Sequence, residues 1–219
     1  MRFSDRIEAG RKLAMALREY GSHEDAVVLA LPRGGVVVGF AVAEEMNAPL
    51  EVLVVRKVGV PGHEELAMGA VAGGGVTIRN EDILRDLRIS DAMFDHAAEQ
   101  QRGEVARRER LYRGDRESLD LADRTVILAD DGLATGASMK AAVSAVRQCQ
   151  PKRLIVAVPV AAHSVAEEFR LAVARLVCIH EPTFLDGVGR WYSDFRQISD
   201  AEVRQLLEEA SHRHPAVGR

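Results

Sequence analysis

Two adjacent aspartates, Asp130 and Asp131, are the residues of this sequence best suited to chemistry. They directly follow the apolar residues 126–129 and precede a turn of small residues, 134–138, that carries two hydroxyl side chains. Carboxylates accept hydrogen bonds from sugar hydroxyls and bind Mg²⁺, whereas free N–H groups at the start of a helix bind phosphate. The segment therefore predicts a site for a phosphorylated sugar at the end of a strand.

The elements that must position these aspartates alternate between strands and helices. Apolar runs at residues 26–31, 51–55, 125–129, 154–158 and 176–179 are typical of strands buried on both faces. Helical patterns lie between them at residues 36–46, 138–149 and 165–171, and further helices are expected at residues 3–17, 91–116 and 202–210. The alternation predicts an α/β fold: a doubly wound parallel sheet with helices on both faces, where ligands bind at the carboxyl ends of strands.

Two further segments follow predicted strands. Arg33, Gly34 and Gly35 come after the first strand, where glycines let the backbone approach a ligand closely and Arg33 supplies positive charge. Arg56 and Lys57 end the second predicted strand. Alone, the first segment is also compatible with an ordinary turn and the second with a solvated strand end. Their order along the chain, on successive strand ends, favours one shared site.

Residues 126–138 resemble the motif with which type I phosphoribosyltransferases bind 5-phosphoribosyl 1-pyrophosphate (PRPP): apolar residues, two acids, then a loop with Thr-Gly and another hydroxyl. The alternative is an ordinary strand–turn–helix with a capping aspartate. A Walker A motif is excluded, because no Gly-Lys-Ser/Thr follows either glycine cluster. The resemblance implies that the 5-phosphate of PRPP binds at Ala134, Thr135, Gly136, Ala137 and Ser138.

The same resemblance implies roles for the other candidate residues. Asp130 and Asp131 would hold the ribose hydroxyls and Mg²⁺, directly or through water. The pyrophosphate would bind at Arg33, Gly34, Gly35, Arg56 and Lys57, and Arg33 and Lys57 would assist catalysis by stabilising it as the leaving group.

A mobile loop at residues 58–65 is expected to close over the substrate and to supply acid–base help. Glu65 is the candidate there, with Glu64 beside it and His63 as a weaker third, although solvated loop charges are the simpler interpretation. Hypoxanthine-guanine enzymes of this family carry an aspartate where this chain has Ala134, so an oxopurine-type general base is missing. The stretch at residues 130–136 is more similar to that of the adenine and orotate enzymes, in which the mobile loop supplies the acid–base help.

The C-terminal part of the chain contains a cluster of aromatic residues. Phe184, Trp191, Tyr192 and Phe195 lie within twelve positions, and a flat base could stack on one of them. Phe184, Trp191 and Tyr192 are therefore candidates for an acceptor-binding hood at residues 180–200. The equally open alternative is an aromatic cluster that seals this part of the protein.

Nearly the whole chain resembles a bacterial family of predicted phosphoribosyltransferases without a named substrate, notably at residues 65–70, 157–160 and 188–195. This implies one domain over residues 1–219, with a loop, hairpin and helix insertion at about residues 58–118. It also implies a homodimer.

Composition narrows the partners and the compartment. The 219 residues have a formal net charge of −4, which argues against nucleic acid as a partner. The longest apolar run, residues 154–162, is too short to span a membrane, so no membrane association is expected. Cys149 and Cys178 fit free thiols in a reducing compartment, and we expect a cytoplasmic protein.

These observations predict a phosphoribosyltransferase that moves the ribose 5-phosphate of PRPP to a small-molecule nitrogen acceptor, such as a nucleobase, and releases pyrophosphate. Mg²⁺ is the expected cofactor. Two alternatives remain open. One is a regulatory protein that senses PRPP without transferase activity, and the other is a hydrolytic or phosphorolytic activity on a ribosyl phosphate.

Overall fold

The computed structural model of the protein describes residues 2–18, 25–114, 116 and 119–214, and for Glu65 it describes the backbone alone. The strands are β1 (Ala26–Ala30), β2 (Leu50–Val52), β3 (Val55–Val60), β4 (His63–Ala72), β5 (Thr77–Arg79), β6 (Thr125–Ala129), β7 (Arg153–Val160) and β8 (Arg175–His180). The α-helices are α1 (Arg6–Leu17), α2 (Gly34–Met46), α3 (Glu81–Asp86), α4 (Asp91–Arg113), α5 (Ala137–Gln148), α6 (His163–Ala172) and α7 (Asp200–Arg213).

Five strands form a parallel sheet in the order β2-β1-β6-β7-β8. Side chains alternate between its two faces, and both faces are covered. Val28 and Ile127 pack with α1, α2 and α7, whereas Val27 and Val126 pack with α5 and α6. The predicted α/β class with helices on both faces is confirmed. In register, Ala129 lies between Ala30 and Ala157, so the carboxyl ends of the three central strands meet at one edge.

A second, antiparallel sheet with the order β3-β4-β5 corrects two predictions. The sequence predicts a loop at residues 58–65, but these residues belong to a β3–β4 hairpin with its turn at residues 61–62. It also predicts Arg56 and Lys57 at the end of the second parallel strand, but they lie inside β3, after β2 has ended at Val52. The sequence indicates a loop because glycine and proline are uncommon inside strands, and this segment contains Gly59, Pro61 and Gly62. The strand pairing is also irregular near Gly59.

One prediction for this region is confirmed. The helix expected at residues 91–116 is α4, which begins after the capping residue Ser90 and is followed by Gly114, where φ is 62°. β4 and β5 pair as a second hairpin at residues 69–79. Among the described residues, no helix is long and apolar enough to cross a lipid bilayer.

The N-terminal segment before α1 pairs with residues 191–193 beside the parallel sheet. Phe3 N–H donates to the carbonyl oxygen of Trp191 at 2.8 Å, and Ser193 N–H donates to the carbonyl oxygen of Phe3 at 2.8 Å. The chain then enters α7, which starts with a capping box between Ser199 and Glu202. The predicted C-terminal helix is thus confirmed, and this pairing brings residues 191–195 next to the start of α1.

Candidate functional site

The first residues of α2 pack directly on the two aspartates that follow β6. Asp130 and Asp131 are called the acid pair here, and Gly34 and Gly35 the glycine pair. A Cβ on Gly34 would collide with Asp131 Oδ2, and one on Gly35 would lie 2.8 Å from Asp130 Oδ1. Only residues without a side chain fit this approach. The structure therefore brings together two segments that are about 95 positions apart in the sequence.

The acid pair is largely enclosed. Asp131 N–H donates to Asp130 Oδ1 at 2.8 Å. Burial, together with the charge of Asp131, raises the pKa of Asp130 well above its usual range. Burial also raises the pKa of Asp131, although a guanidinium from α1 opposes that rise. Two neighbouring carboxylates in such a place favour partners that donate hydrogen bonds or carry positive charge.

Arg6 supplies that guanidinium, and sequence reasoning missed it. Its Nε donates to Asp131 Oδ2 at 2.8 Å, and its side chain is only 8% exposed. A signal was present in the sequence, since Arg6 lies three residues before Ala9 and four before Gly10, on the buried stripe of α1. A charged residue on such a stripe needs a partner inside the protein.

The predicted phosphate-binding turn, residues 134–138, leads from the acid pair into α5. Gly136 caps the helix with a φ of 69°, and a Cβ at this position would also press on Phe169. The first backbone bond inside the helix is from Lys140 N–H to the carbonyl oxygen of Gly136, at 2.8 Å. The N–H groups of Ala137, Ser138 and Met139 thus lie in the helix's first turn, where such groups bind anions. The Thr135 and Ser138 side chains are exposed beside them.

Arg33 lies directly before the glycine pair, at the N-cap of α2. The peptide bond from Pro32 to Arg33 is cis. The side chain is 43% exposed, and its Nη1 lies 4.0 Å from Asp200 Oδ1 at the start of α7. Arg33 therefore stands at the same edge as the acid pair, with a partly exposed side chain.

The remaining predicted residues of the pyrophosphate and acid–base sets lie in the β3–β4 hairpin. Arg56 Nε donates to Gln101 Oε1 in α4 at 3.2 Å, so this guanidinium is engaged on the hairpin's helical side. The Lys57 side chain is exposed. His63 and Glu64 are exposed near the hairpin turn, and the Glu65 side chain lies outside the described parts of the chain. The structure thus places these residues on a separate sheet and not on a strand end beside the glycine pair.

The C-terminal aromatic residues are arranged mainly as a packed cluster. Tyr192 is buried, and its hydroxyl donates to the backbone carbonyl oxygen of Asp131 at 2.6 Å. Burial raises the pKa of this tyrosine far above its usual range. Trp191 packs on His180, with 5.1 Å between ring centroids. Phe184 is 88% exposed. Tyr192 therefore holds the acid pair from behind, and of the three predicted hood residues Phe184 has the most accessible ring.

The donor set at the acid pair fits Mg²⁺ held jointly with a substrate. Among the residues that the structure describes, no three His, Cys, Asp or Glu side chains gather into a metal site. Mg²⁺ needs fewer protein ligands, since it commonly keeps waters and binds one or two carboxylates together with substrate phosphates. Arg6 and the Asp131 N–H each engage one carboxylate oxygen, which leaves one oxygen of Asp130 and one of Asp131 for a metal or for hydroxyls.

Comparison with known proteins agrees with this geometry. The phosphoribosyl transferase domain family matches residues 4–190. The chain belongs to this family. Over 208 residues, or 95% of the chain, it is 41% identical to predicted phosphoribosyl transferases from two strains of Mycobacterium tuberculosis, Rv0571c and MT0597. The chain spans about half the length of these relatives, with 47% of each covered.

Solved structures agree as well. The crystal structure of TT1426 from Thermus thermophilus is 42% identical and superposes with a TM-score of 0.87, covering 95% of this chain and 99% of that one. AQ2163 from Aquifex aeolicus, 14% identical with a TM-score of 0.50, shares the fold over 84% of this chain.

Proposed function

We propose that the protein transfers the ribose 5-phosphate of PRPP to a nitrogen acceptor and releases pyrophosphate. One observation carries the proposal: the acid pair lies between two helix starts that both contain glycine. The glycine pair begins α2 on one side, and residues 134–138 lead into α5 on the other. Helix N-termini favour anions, and carboxylates accept hydrogen bonds from hydroxyls. The arrangement suits a ligand with phosphates at both ends and hydroxyls between them, as in PRPP.

In the proposed complex, the 5-phosphate binds Thr135, Ser138 and the backbone N–H groups at the start of α5. Asp130 and Asp131 accept hydrogen bonds from the ribose hydroxyls, and the pyrophosphate binds Arg33 and the glycine pair. Mg²⁺, when bound, would be held by the acid pair and would neutralise charge on the pyrophosphate. The protein's share of catalysis is to fix the ribose and to stabilise the leaving group.

The reaction forms a bond from C1 of the ribose to the acceptor nitrogen as the bond from C1 to pyrophosphate oxygen breaks. The proposed acid–base residue is Glu65, with Glu64 and His63 nearby, and Lys57 and Arg56 would add charge for the pyrophosphate. All five belong to the β3–β4 hairpin. This assignment requires the hairpin, rather than a free loop, to approach the acid pair when substrate is bound.

The proposal also covers the cellular compartment and the oligomeric state of the protein. We place it in the cytoplasm as a homodimer. Cys149 and Cys178 are free thiols that do not form a disulfide, and this supports a reducing compartment. Sedimentation velocity at micromolar concentration tests the dimer directly, and a monomer at all concentrations would contradict that part.

The inward packing of Tyr192 favours a second candidate, a regulatory protein that binds PRPP without transferring it. With this ring inside the aromatic cluster, Phe184 and Trp191 remain for an acceptor, and Trp191 is partly covered by His180. A sensor would keep the acid pair and both helix starts but would not need a platform for a base.

The experiment that tests both candidates measures PRPP binding first and turnover second. Mg²⁺–PRPP should raise the melting temperature, because a ligand present at a hundred times its Kd stabilises the native state by about 2.7 kcal/mol. Ribose 5-phosphate should act more weakly, and EDTA should reduce the effect. Pyrophosphate release is then followed with a panel of bases and amines. Release with one acceptor supports transfer, binding without release supports the sensor, and no thermal shift contradicts both.

A further inference from the structure

Arg6 makes three different contacts around the acid pair. Its Nε donates to Asp131 Oδ2 at 2.8 Å, and its Nη1 donates to the carbonyl oxygen of Arg196 at 3.0 Å. The guanidinium carbon lies 3.8 Å from the centroid of the Phe195 ring, which places the charged plane over the ring. The Arg6 guanidinium is thereby fixed by two hydrogen bonds along its edges and by an aromatic ring against one face.

Asp131 is held at both of its ends by residues outside its own segment. Arg6 binds its carboxylate, and the Tyr192 hydroxyl binds its backbone carbonyl oxygen at 2.6 Å. The Tyr192 and Phe195 rings contact each other, with 5.1 Å between centroids, so the two holding groups belong to one packed unit. The Arg6 bond fixes the carboxylate and the Tyr192 bond fixes the backbone of the same residue.

The position of Arg6 relative to the glycine pair completes the argument. A Cβ on Gly34 would lie 2.9 Å from Arg6 Nε, so the backbone of Gly34 is the neighbour of the ion pair. Arg6 thus reaches Asp131 beside the backbone of Gly34. Its Nε and Nη1 both point to acceptors within the protein, and its face is covered by Phe195.

We propose that Arg6 is the positioning residue for Asp131: it fixes this carboxylate in the orientation that receives the ribose hydroxyls, and it couples that orientation to residues 192–196. The ligand named in this inference rests on the proposed function, whereas the contacts of Arg6 with Asp131 do not depend on it. Arginine is required because lysine is a point charge without a second edge or a flat face, and cannot make all three contacts at once.

The test compares Arg6→Gln and Arg6→Lys with the wild type by calorimetric titration of Mg²⁺–PRPP, ribose 5-phosphate and, in EDTA, metal-free pyrophosphate. Arg6→Gln should weaken both sugar-containing ligands at least tenfold and change pyrophosphate affinity less than twofold, because metal-free pyrophosphate brings neither hydroxyls nor Mg²⁺ to Asp131. Arg6→Lys should restore only part of the loss. Arg18→Gln is the matched control, since Arg18 follows the same helix and its side chain is 62% exposed.

Three results would overturn the positioning role. Equal loss of all three ligands would show a structural defect, loss of pyrophosphate alone would show a direct pyrophosphate contact, and unchanged affinities would show no role. A ligand-free measurement separates this from failure of the proposed function. The Arg6 Nε–H resonance should exchange slowly with water in the wild type and shift in Asp131→Asn. If that resonance behaves as expected while the wild type binds no sugar phosphate, the function fails and the geometry stands.

Discussion

Arg113 and Arg6 have largely covered side chains and reach from helices to carboxylates in, or just after, strands of the parallel sheet. In the first pair, Arg113 of α4 donates through Nε to Glu51 Oε2 of β2 at 3.1 Å. In the second, Arg6 of α1 donates through Nε to Asp131 Oδ2, directly after β6, at 2.8 Å. Both arginine side chains are largely covered, with 17% exposed for Arg113 and 8% for Arg6. Similar chemistry therefore occurs at two places in one sheet.

The surroundings of the two carboxylates differ. Glu51 has a partner for each oxygen, since Oε1 accepts from Val52 N–H at 2.8 Å and Oε2 from Arg113. Asp131 instead has a second acid, Asp130, as its neighbour and a glycine pair packed against it. A carboxylate whose two oxygens both accept hydrogen bonds within the protein stabilises the fold. A carboxylate beside another acid, approached by glycines without side chains, still has an oxygen that can bind a ligand.

The largest expected effect comes from Asp130→Asn at the acid pair. Mg²⁺–PRPP should bind at least a hundredfold more weakly, about 2.7 kcal/mol, because the amide replaces a charged acceptor of hydroxyls and metal. The fold should not suffer. The pKa of Asp130 is raised in the native state, so its charged form opposes folding.

Urea denaturation against pH checks the second half of this prediction. Below the ordinary aspartate pKa of about 4, wild type and Asp130→Asn should be similarly stable, and the wild type should become the less stable of the two as the pH rises above that value. If Asp130→Asn binds PRPP normally, or unfolds at neutral pH, the acid pair has a structural role. The contrast with Glu51 would then be wrong.

A smaller effect, on stability rather than binding, is expected for Glu51→Gln. The amide keeps an acceptor for Val52 N–H but loses the ion pair with Arg113, which retains Glu109 at 3.4 Å. We expect about 2 kcal/mol less stability in urea denaturation, in line with loss of a largely buried charged hydrogen bond. Mg²⁺–PRPP affinity should stay within twofold. A tenfold loss of affinity with unchanged stability would place Glu51 in the site instead.

The smallest expected effect comes from Gly35→Ala. Its Cβ would lie 2.9 Å from Asp130 Cα and 3.0 Å from the carbonyl oxygen of Ala129, so backbone must move. We expect about tenfold weaker PRPP binding, or about 1.4 kcal/mol. Gly103→Ala in α4 is the matched control, since nothing lies within 4 Å of its Cβ and alanine favours the helix by up to about 1 kcal/mol. Equal PRPP affinity in both variants would contradict the close fit of the glycine pair.

The parallel sheet and the acid pair were accessible from sequence because their signals are local. Strands such as β6 are uninterrupted apolar runs, and Asp130 and Asp131 follow one of them directly. The glycine pair was accessible for the same reason, as glycines at the end of β1. The two segments touch because β1 and β6 are paired neighbours in the sheet. The predicted fold class is compatible with this pairing but does not determine which strands are neighbours.

Other parts of the site depend on contacts that no local pattern encodes. The β3–β4 hairpin has the sequence of a loop because Gly59, Pro61 and Gly62 interrupt its alternation, and only pairing with β4 makes residues 55–60 a strand. Arg6 is 125 positions from Asp131, and Tyr192 is 61. Aromatic residues such as Tyr192 fit a stacking surface and a packed core equally well in sequence, and the direction of the side chain decides between the two.

The hydrogen bond from Arg6 to the carbonyl oxygen of Arg196 joins residues 190 positions apart, and this has a consequence for how the protein is made. A ribosome adds about 5–20 residues per second, so on the order of 10–40 s pass between the two residues. During that time the Arg6 guanidinium lacks at least one of its final acceptors, since Asp131 is synthesised before Arg196. Under the proposed function, PRPP would therefore stabilise the completed site only after residue 196 has been synthesised.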